Sequence, residues 1–155
     1  IIPLTGKSNR ASAGELRIDY SQKWMNNHWR TITSAYGKSP FFEYYCSDLD
    51  KILHSRCELL YDLNLQLLTM CLKWLRCPVQ LKETLSYEKM YANEIKDLRN
   101  RLDAKNEETI RSNYTAISYQ QVFGNSFVEN LSIIDLIFCL GPEAGSIIKS
   151  SRKRE

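Results

Sequence analysis

Histidine is scarce in this chain, with His28 and His54 the only two in 155 residues. Five cysteines accompany them, yet no C-x-x-C pair occurs, so the usual ligand spacings of a zinc site cannot be assembled and no metal is expected. The nearest approach to such a pattern is His54 with Cys57, three residues on. An odd number of cysteines spread over apolar segments also excludes a complete disulfide framework, and we read Cys46, Cys57, Cys71, Cys77 and Cys139 as reduced thiols of a cytoplasmic protein. No apolar run reaches the roughly 20 residues of a spanning helix; the longest candidate, residues 131–140, is interrupted by Asp135, and membrane insertion is not expected. No signal peptide opens the sequence. A surplus of one charge is missing as well. Lys plus Arg number 21 against 18 Asp plus Glu, a net charge of +3, and only residues 149–154 bunch the basic groups. A nucleic-acid footprint needs a broader basic face, so nucleic acid is not an expected partner. The G-x-x-x-x-G-K pattern is absent too, which leaves Gly37-Lys38-Ser39-Pro40 as a turn and not a phosphate cradle.

What is present is ordinary for a globular chain: 43% hydrophobic and 25% charged residues, over a length that suits one domain with its own core. The patterning predicts an α+β class, a predominantly helical single domain with a few short strands. Residues 1–4 are β-prone, residues 15–20 alternate Leu16, Ile18 and Tyr20 against Glu15, Arg17 and Asp19, and a third strand is expected around residues 79–87. The loop between the first two holds Lys7, Ser8, Asn9 and Arg10, a weak candidate for contacting an anion. Ser47 with Asp50 and Ser55 with Glu58 have capping-box spacing, and the second should introduce the longest helix, residues 56–76, with Leu60, Leu63, Leu67, Cys71 and Trp74 on one face. Residues 88–108 alternate in charge sign, the mark of a solvated helix or loop. Residues 146–155 read as a flexible basic tail.

The stretch from residue 16 to 45, LRIDYSQKWMNNHWRTITSAYGKSPFFEYY, concentrates the chemistry. A helix is expected from Gln22 to Tyr36, capped by Ser21 and ended by Gly37, with Pro40 opening a short aromatic helix. Met25, Trp29, Ile32 and Tyr36 fall on a core stripe. Trp24, His28, Thr31 and Ala35 lie beside it, which puts His28 at the border with a polar side carrying Asn27, Arg30 and Ser34. A border histidine close to an arginine can give or take a proton near neutrality; it can equally be a hydrogen-bonded packing residue.

Near the other end, Asn130 or Ser132 can cap a helix running to Leu140, with Gly141-Pro142 as its stop. Asp135 is the single ionisable group in that apolar run. Burying it unpaired costs several kcal/mol, so it requires a partner such as Arg30, Tyr36 or a backbone group, or else a cleft in which it acts as a base or orienter.

Three segments in order resemble the WbqC-like family. HWRTITSAYGKSPFFEYY resembles its central signature, LYDLNLQLL at residues 60–68 its leucine-rich helix, and SYQQVFGNSFVENLSIIDLIFCLGPEA at residues 118–144 its closing motif, Tyr-x-Gln-Val-Phe followed by Asn-Leu-Ser-Ile-x-Asp-Leu-x-Phe and Gly-Pro-Glu. Asp97 and Arg99 resemble an acidic and basic pair the family often keeps. The chain opens on Ile1, and by the resemblance it covers the middle and end of the family, lacking its N-terminal part. The resemblance implies a role in building O-antigen and related surface glycans, by acyl or aminoacyl transfer, with glycyl the suggested group, to an amino sugar carried on a nucleotide. In that transferase reading His28, Arg30 and Asp135 are the catalytic candidates, and Trp29, Ser34, Tyr36, Asn130 and Ser132 the substrate-binding ones. No cofactor is identified, and an activated acyl or aminoacyl donor fits the reading. No Ser-His-Asp arrangement with suitable spacing is present, so a covalent mechanism is not expected. The alternative is a non-enzymatic module in which Trp24, Trp29, Phe41, Phe42, Tyr44 and Tyr45 dock a glycan or a protein partner. The two part company on one geometric point. An enzyme brings His28, Arg30 and Asp135 to a shared cleft, whereas a module buries them in separate pairs and displays the aromatic rings. The oligomeric state is left open.

Overall fold

The computed structural model describes residues 1–6, 12–84, 86–90, 95, 97–99, 111 and 114–153. Among these, the helices in chain order are α1 (Trp24–Tyr36), α2 (Phe42–Leu53), α3 (Leu60–Trp74), α4 (Ile133–Leu140) and α5 (Ala144–Ser151), with 3-10 turns at Ala13–Glu15 and Gly141–Glu143. The amphipathic patterns explain the first three. On α1, Asn27, Arg30 and Ser34 face solvent while Trp24 is buried, and α2 and α3 bury Phe42, Leu49 and Leu53, and Leu63, Met70 and Trp74, at helical spacing. On α4 five consecutive residues, Asp135–Cys139, are buried, the signature of a helix enclosed on all sides.

Phe138, with no exposed surface, is the centre of the main core. Phe42 meets its ring edge-on at 5.2 Å, and Tyr36 and Trp74 lie at 5.4 and 6.5 Å. A smaller cluster of Ile18, Trp24 and Leu63 sits toward the start of α1. The turn between α1 and α2 is tied to α4 by the Phe41 N–H, which donates to the Phe138 carbonyl at 3.0 Å. Just beyond α4, Gly141 has φ 54°, and a Cβ there would lie 2.4 Å from the Phe41 ring. Only glycine satisfies both the dihedral and the contact.

The helical class holds, but the expected strands do not form. Among the described residues there is no sheet, only isolated antiparallel bridges, two of which join Leu4 with Ile18 and Arg17 with Leu59. Residues 16–19 are thus clasped between two short segments by the hydrogen bonds Thr5 N–H to Arg17 O, Asp19 N–H to Pro3 O, Ile18 N–H to Glu58 O and Leu60 N–H to Leu16 O. Pro3, which has no N–H, and Gly6 at φ 76° stop the first pairing after one bridge. Residues 79–84 are exposed and irregular, without a strand to pair with.

Other boundaries also shift. The third helix begins at Leu60 and not at residue 56, because Arg56 takes φ 53° and Ser55 bonds back to Ile52, ending the turn after α2. Gly37 closes α1 in a right-handed conformation, φ −58°, so its dihedral does not require glycine, although a Cβ there would lie 2.6 Å from the Thr33 carbonyl oxygen. The segment from 146, expected as a tail, continues α5 to Ser151, and Arg152 bridges to Tyr114. The loop residues Lys7, Ser8, Asn9 and Arg10 and most of residues 88–108 lie outside the described residues. Asp97 and Arg99 do pair, with Arg99 Nη2 donating to Asp97 Oδ2 at 2.6 Å. No helix among the described residues is long and apolar enough to cross a membrane.

Candidate functional site

The closing motif assembles around Asp135, whose side chain has no exposed surface. Residues 114–119 run beside α4, fastened at one end by the Thr115 N–H to the Ser151 carbonyl at 2.8 Å. This extended path carries Tyr119 and Gln121 to the carboxyl group. The Tyr119 hydroxyl donates to Asp135 Oδ2 at 2.6 Å, and Gln121 Nε2 donates to the same oxygen at 3.0 Å. Gln121 also clips the following loop shut: its Nε2 donates to the Val128 carbonyl at 2.9 Å and its Oε1 accepts from the Val128 N–H at 2.8 Å. Asp135 Oδ1 has no hydrogen-bond partner of standard geometry among the described residues. The motif Tyr-x-Gln followed by Asp is therefore one hydrogen-bonded unit.

A cleft of about 330 Å3 opens beside this unit, between residues 114–119, the loop leading into α4, and α5. Ile117, Phe127, Leu136, Ile147 and Ile148 give it apolar walls, and Tyr119 joins it to the buried carboxyl group. Asn130 and Ser132 stand at the entrance to α4. Asn130 adopts φ 64°, an uncommon conformation in which asparagine is among the tolerated residues. Ser132 is the N-cap of α4, but its hydroxyl makes no capping hydrogen bond. The first-turn N–H groups of α4 therefore lack the usual side-chain cap at the rim of the cleft.

The structure brings together only part of the set expected from sequence. Asn130 and Ser132 line the cleft, and Tyr36 packs beside Phe138, close enough to Asp135 to feel its charge. Trp29 stacks on Phe42 at 6.2 Å, at the edge of the core, and Ser34 and Arg30 are exposed on the far side of α1. His28 is half-buried against the edge of Trp24, 5.4 Å between centroids, with the amino group of Ile1 at 3.4 Å from its Nε2. Burial is the main cause that lowers its pKa. Eight residues of helix place it roughly 12 Å along the axis from Tyr36, at about 1.5 Å per residue. His28 and Arg30 thus do not share the cleft beside Asp135. Nor do the aromatic residues form a displayed patch: Trp24 and Phe42 are buried, Trp29, Phe41 and Tyr45 are half-buried, and only Tyr44 projects into solvent.

Tyr119 and Gln121 are the residues the sequence reading passed over. The signal for them is their spacing: alternate residues of an extended segment point to one side, and a carboxyl group in an apolar helix needs donors from elsewhere. No group of three or more metal-ligating side chains gathers among the described residues. All five cysteines are unpaired thiols, and burial pushes the thiol pKa values of Cys71 and Cys139 up.

Burial, then the charge of Asp135 and a hydrogen bond toward it, pushes the Tyr36 hydroxyl up to about 12. Burial first, and Asp135 next, also raises Tyr119. A hydroxyl whose pKa is raised on folding binds its proton more tightly in the native state. Its stabilising contribution is complete below the ordinary tyrosine value of about 10 and is lost as pH rises through the native value. Stability is expected to fall steadily between about pH 10 and 12, and Tyr36→Phe should flatten that fall; urea midpoints measured across the range check it.

No curated protein and no solved structure matches the chain. A sequence profile does, over residues 1–109 and 104–147, taking in α1 to α4 and the Tyr119–Gln121–Asp135 unit, and by that match the chain belongs to the WbqC-like protein family.

Proposed function

We propose that this protein acts in glycan biosynthesis as a transferase, moving an acyl or aminoacyl group from an activated donor to the amino group of a nucleotide-linked sugar, and that the cleft beside α4 is where the donor group binds. Family membership supports the pathway. The observation that carries the site is the cleft itself, in which Asn130, Ser132 and the start of α4 meet an apolar pocket backed by Tyr119 and Asp135.

The chemistry asks for two things: stabilisation of the oxyanion that forms when the amine adds to the acyl carbon, and removal of the amine's proton as the leaving group departs. The Ser132 hydroxyl and the first-turn N–H groups of α4 suit the first, since their dipoles point at the rim. For the second, the cleft offers Tyr119, whose hydroxyl already donates to Asp135 Oδ2. A proton taken up at the phenol oxygen can be matched by one passed on to the carboxyl group.

Mass spectrometry of amino-sugar nucleotides incubated with the protein and a panel of activated acyl and aminoacyl donors tests the reading. The expected result is a mass gain on the sugar nitrogen, reduced about tenfold or more in Ser132→Ala through loss of an oxyanion donor. His28→Ala should retain the activity. Loss of activity in His28→Ala with Ser132→Ala unaffected would move the site to the beginning of α1. Binding of the sugar without any mass gain across the panel would favour the binding-module reading.

A further inference from the structure

We propose that the cleft between α4, α5 and residues 114–119 binds an aliphatic acyl chain, its carbonyl end at Ser132 and its methylenes between Phe127, Leu136, Ile147 and Ile148. The inference rests on the transfer reading only for the statement that the chain arrives on a donor; binding of the chain stands or falls separately. Its basis is the chemistry of the walls. No lysine, arginine, histidine, aspartate or glutamate lines the cleft among the described residues. A nucleotide diphosphate would find no cation there to fork its oxygens. A glycyl group would find no exposed carboxylate for its ammonium, because Asp135 is fully buried and is not part of the wall. Away from the polar entrance at α4 the wall is uncharged and matches an aliphatic chain, and a charged group laid along it would be desolvated without a partner.

The size and the ends fit as well. At about 330 Å3 the cleft lies at the lower end of small-molecule sites, enough for one chain and too small for a sugar nucleotide. At the α4 entrance Asn130, the Ser132 hydroxyl, which makes no capping hydrogen bond, and the start of the helix can meet a carbonyl or carboxylate oxygen, while Tyr114, Tyr119 and Ser151 supply the other polar atoms of the lining. The opposite wall, on α5, contributes Ile147 and Ile148, the latter 38% exposed, so apolar surface is available to a ligand without unfolding anything.

Isothermal titration of the whole chain with butanoate, hexanoate, octanoate and decanoate, beside glycine and uridine diphosphate, tests this. The expected result is a ladder in which affinity rises about fourfold per added methylene until the cleft is full, the increment for moving a methylene out of water. Glycine and uridine diphosphate should not compete with octanoate. Ile148→Glu should weaken octanoate about tenfold or more by placing a charge in the wall, while Tyr44→Ala, 78% exposed on α2, should leave it unchanged. Affinity independent of chain length, or displacement of octanoate by glycine or by uridine diphosphate, overturns the proposal. Aminoacyl transfer to the sugar with no length ladder overturns it too while leaving the transfer reading intact; a ladder with no transfer from any donor upholds the acyl site and removes the transfer reading.

Discussion

Replacing Gly141 with alanine is expected to destabilise the protein by about 3–5 kcal/mol, from backbone strain and overpacking acting together. The glycine sits at φ 54° and ψ −124°, where an L side chain is strained whatever the space around it. The space is also filled, since a Cβ would come within 2.4 Å of the Phe41 ring. Phe41 has little freedom to retreat. Its own N–H is bonded to the Phe138 carbonyl, and its ring contacts Tyr44 at 5.9 Å. Urea denaturation at unchanged slope gives the loss directly. A double-mutant cycle with Phe41→Ala separates the two causes: the pair should recover the overpacking part and keep the dihedral part, so the two costs should sum to more than the double variant shows. A loss below about 1 kcal/mol in Gly141→Ala would mean that the Gly141–Phe41 contact is not the closure of the main core.

Asp135→Ala should cost about 3 kcal/mol, because it strands two buried donors and leaves a small cavity. The Tyr119 hydroxyl loses its acceptor, and Gln121 Nε2 keeps only the Val128 carbonyl and a long contact to Tyr119 at 3.4 Å. Asp135→Asn should cost about half as much, as an amide oxygen can still accept one of the two bonds. Hydrogen exchange offers a local readout: the Val128 N–H, bonded to Gln121 Oε1, should exchange faster in Asp135→Ala if Gln121 is steadied by the carboxyl group. A variant as stable as the parent would point the other way. The carboxyl group would then be buried at a cost to folding, which is the pattern of a group retained for chemistry.

The helices could be read from the chain because their signals are local. Trp29, Ile32 and Tyr36 lie against the main core, while Asn27, Arg30 and Ser34 face solvent, as the periodicity of α1 requires. Leu140 as the end of α4 is equally legible, and of Asn130 and Ser132, both offered by the sequence as its cap, Ser132 takes the position. Strands are a different matter, since alternation marks a segment able to pair but not the presence of a partner. Residues 15–20 found one bridge on either side and no more. The site was half legible for the same reason. A carboxyl group isolated in an apolar helix demands donors, yet the demand does not say where they come from. Arg30 and Tyr36 belong to the strongest motif, whereas the direct bonds come from Tyr119 and Gln121, alternate residues of an extended segment outside any helix or sheet. His28 was favoured because its residue type suits proton transfer, and residue type carries no position. Only the packing of α1 shows that it faces the Trp24 cluster and not α4.

The ring at the centre of the core, Phe138, belongs to α4, which begins at Ile133, well after α3 has ended at Trp74. During synthesis the first three helices therefore leave the ribosome before the side chain they enclose exists, with Phe42 and Trp74 facing an empty centre. Contacts of such long sequence separation close late, and until then the early helices expose the apolar surface that makes partly folded chains associate. The main core is thus closed only once α4 has joined the first three helices, and the cleft only once α5, from Ala144 on, has followed it.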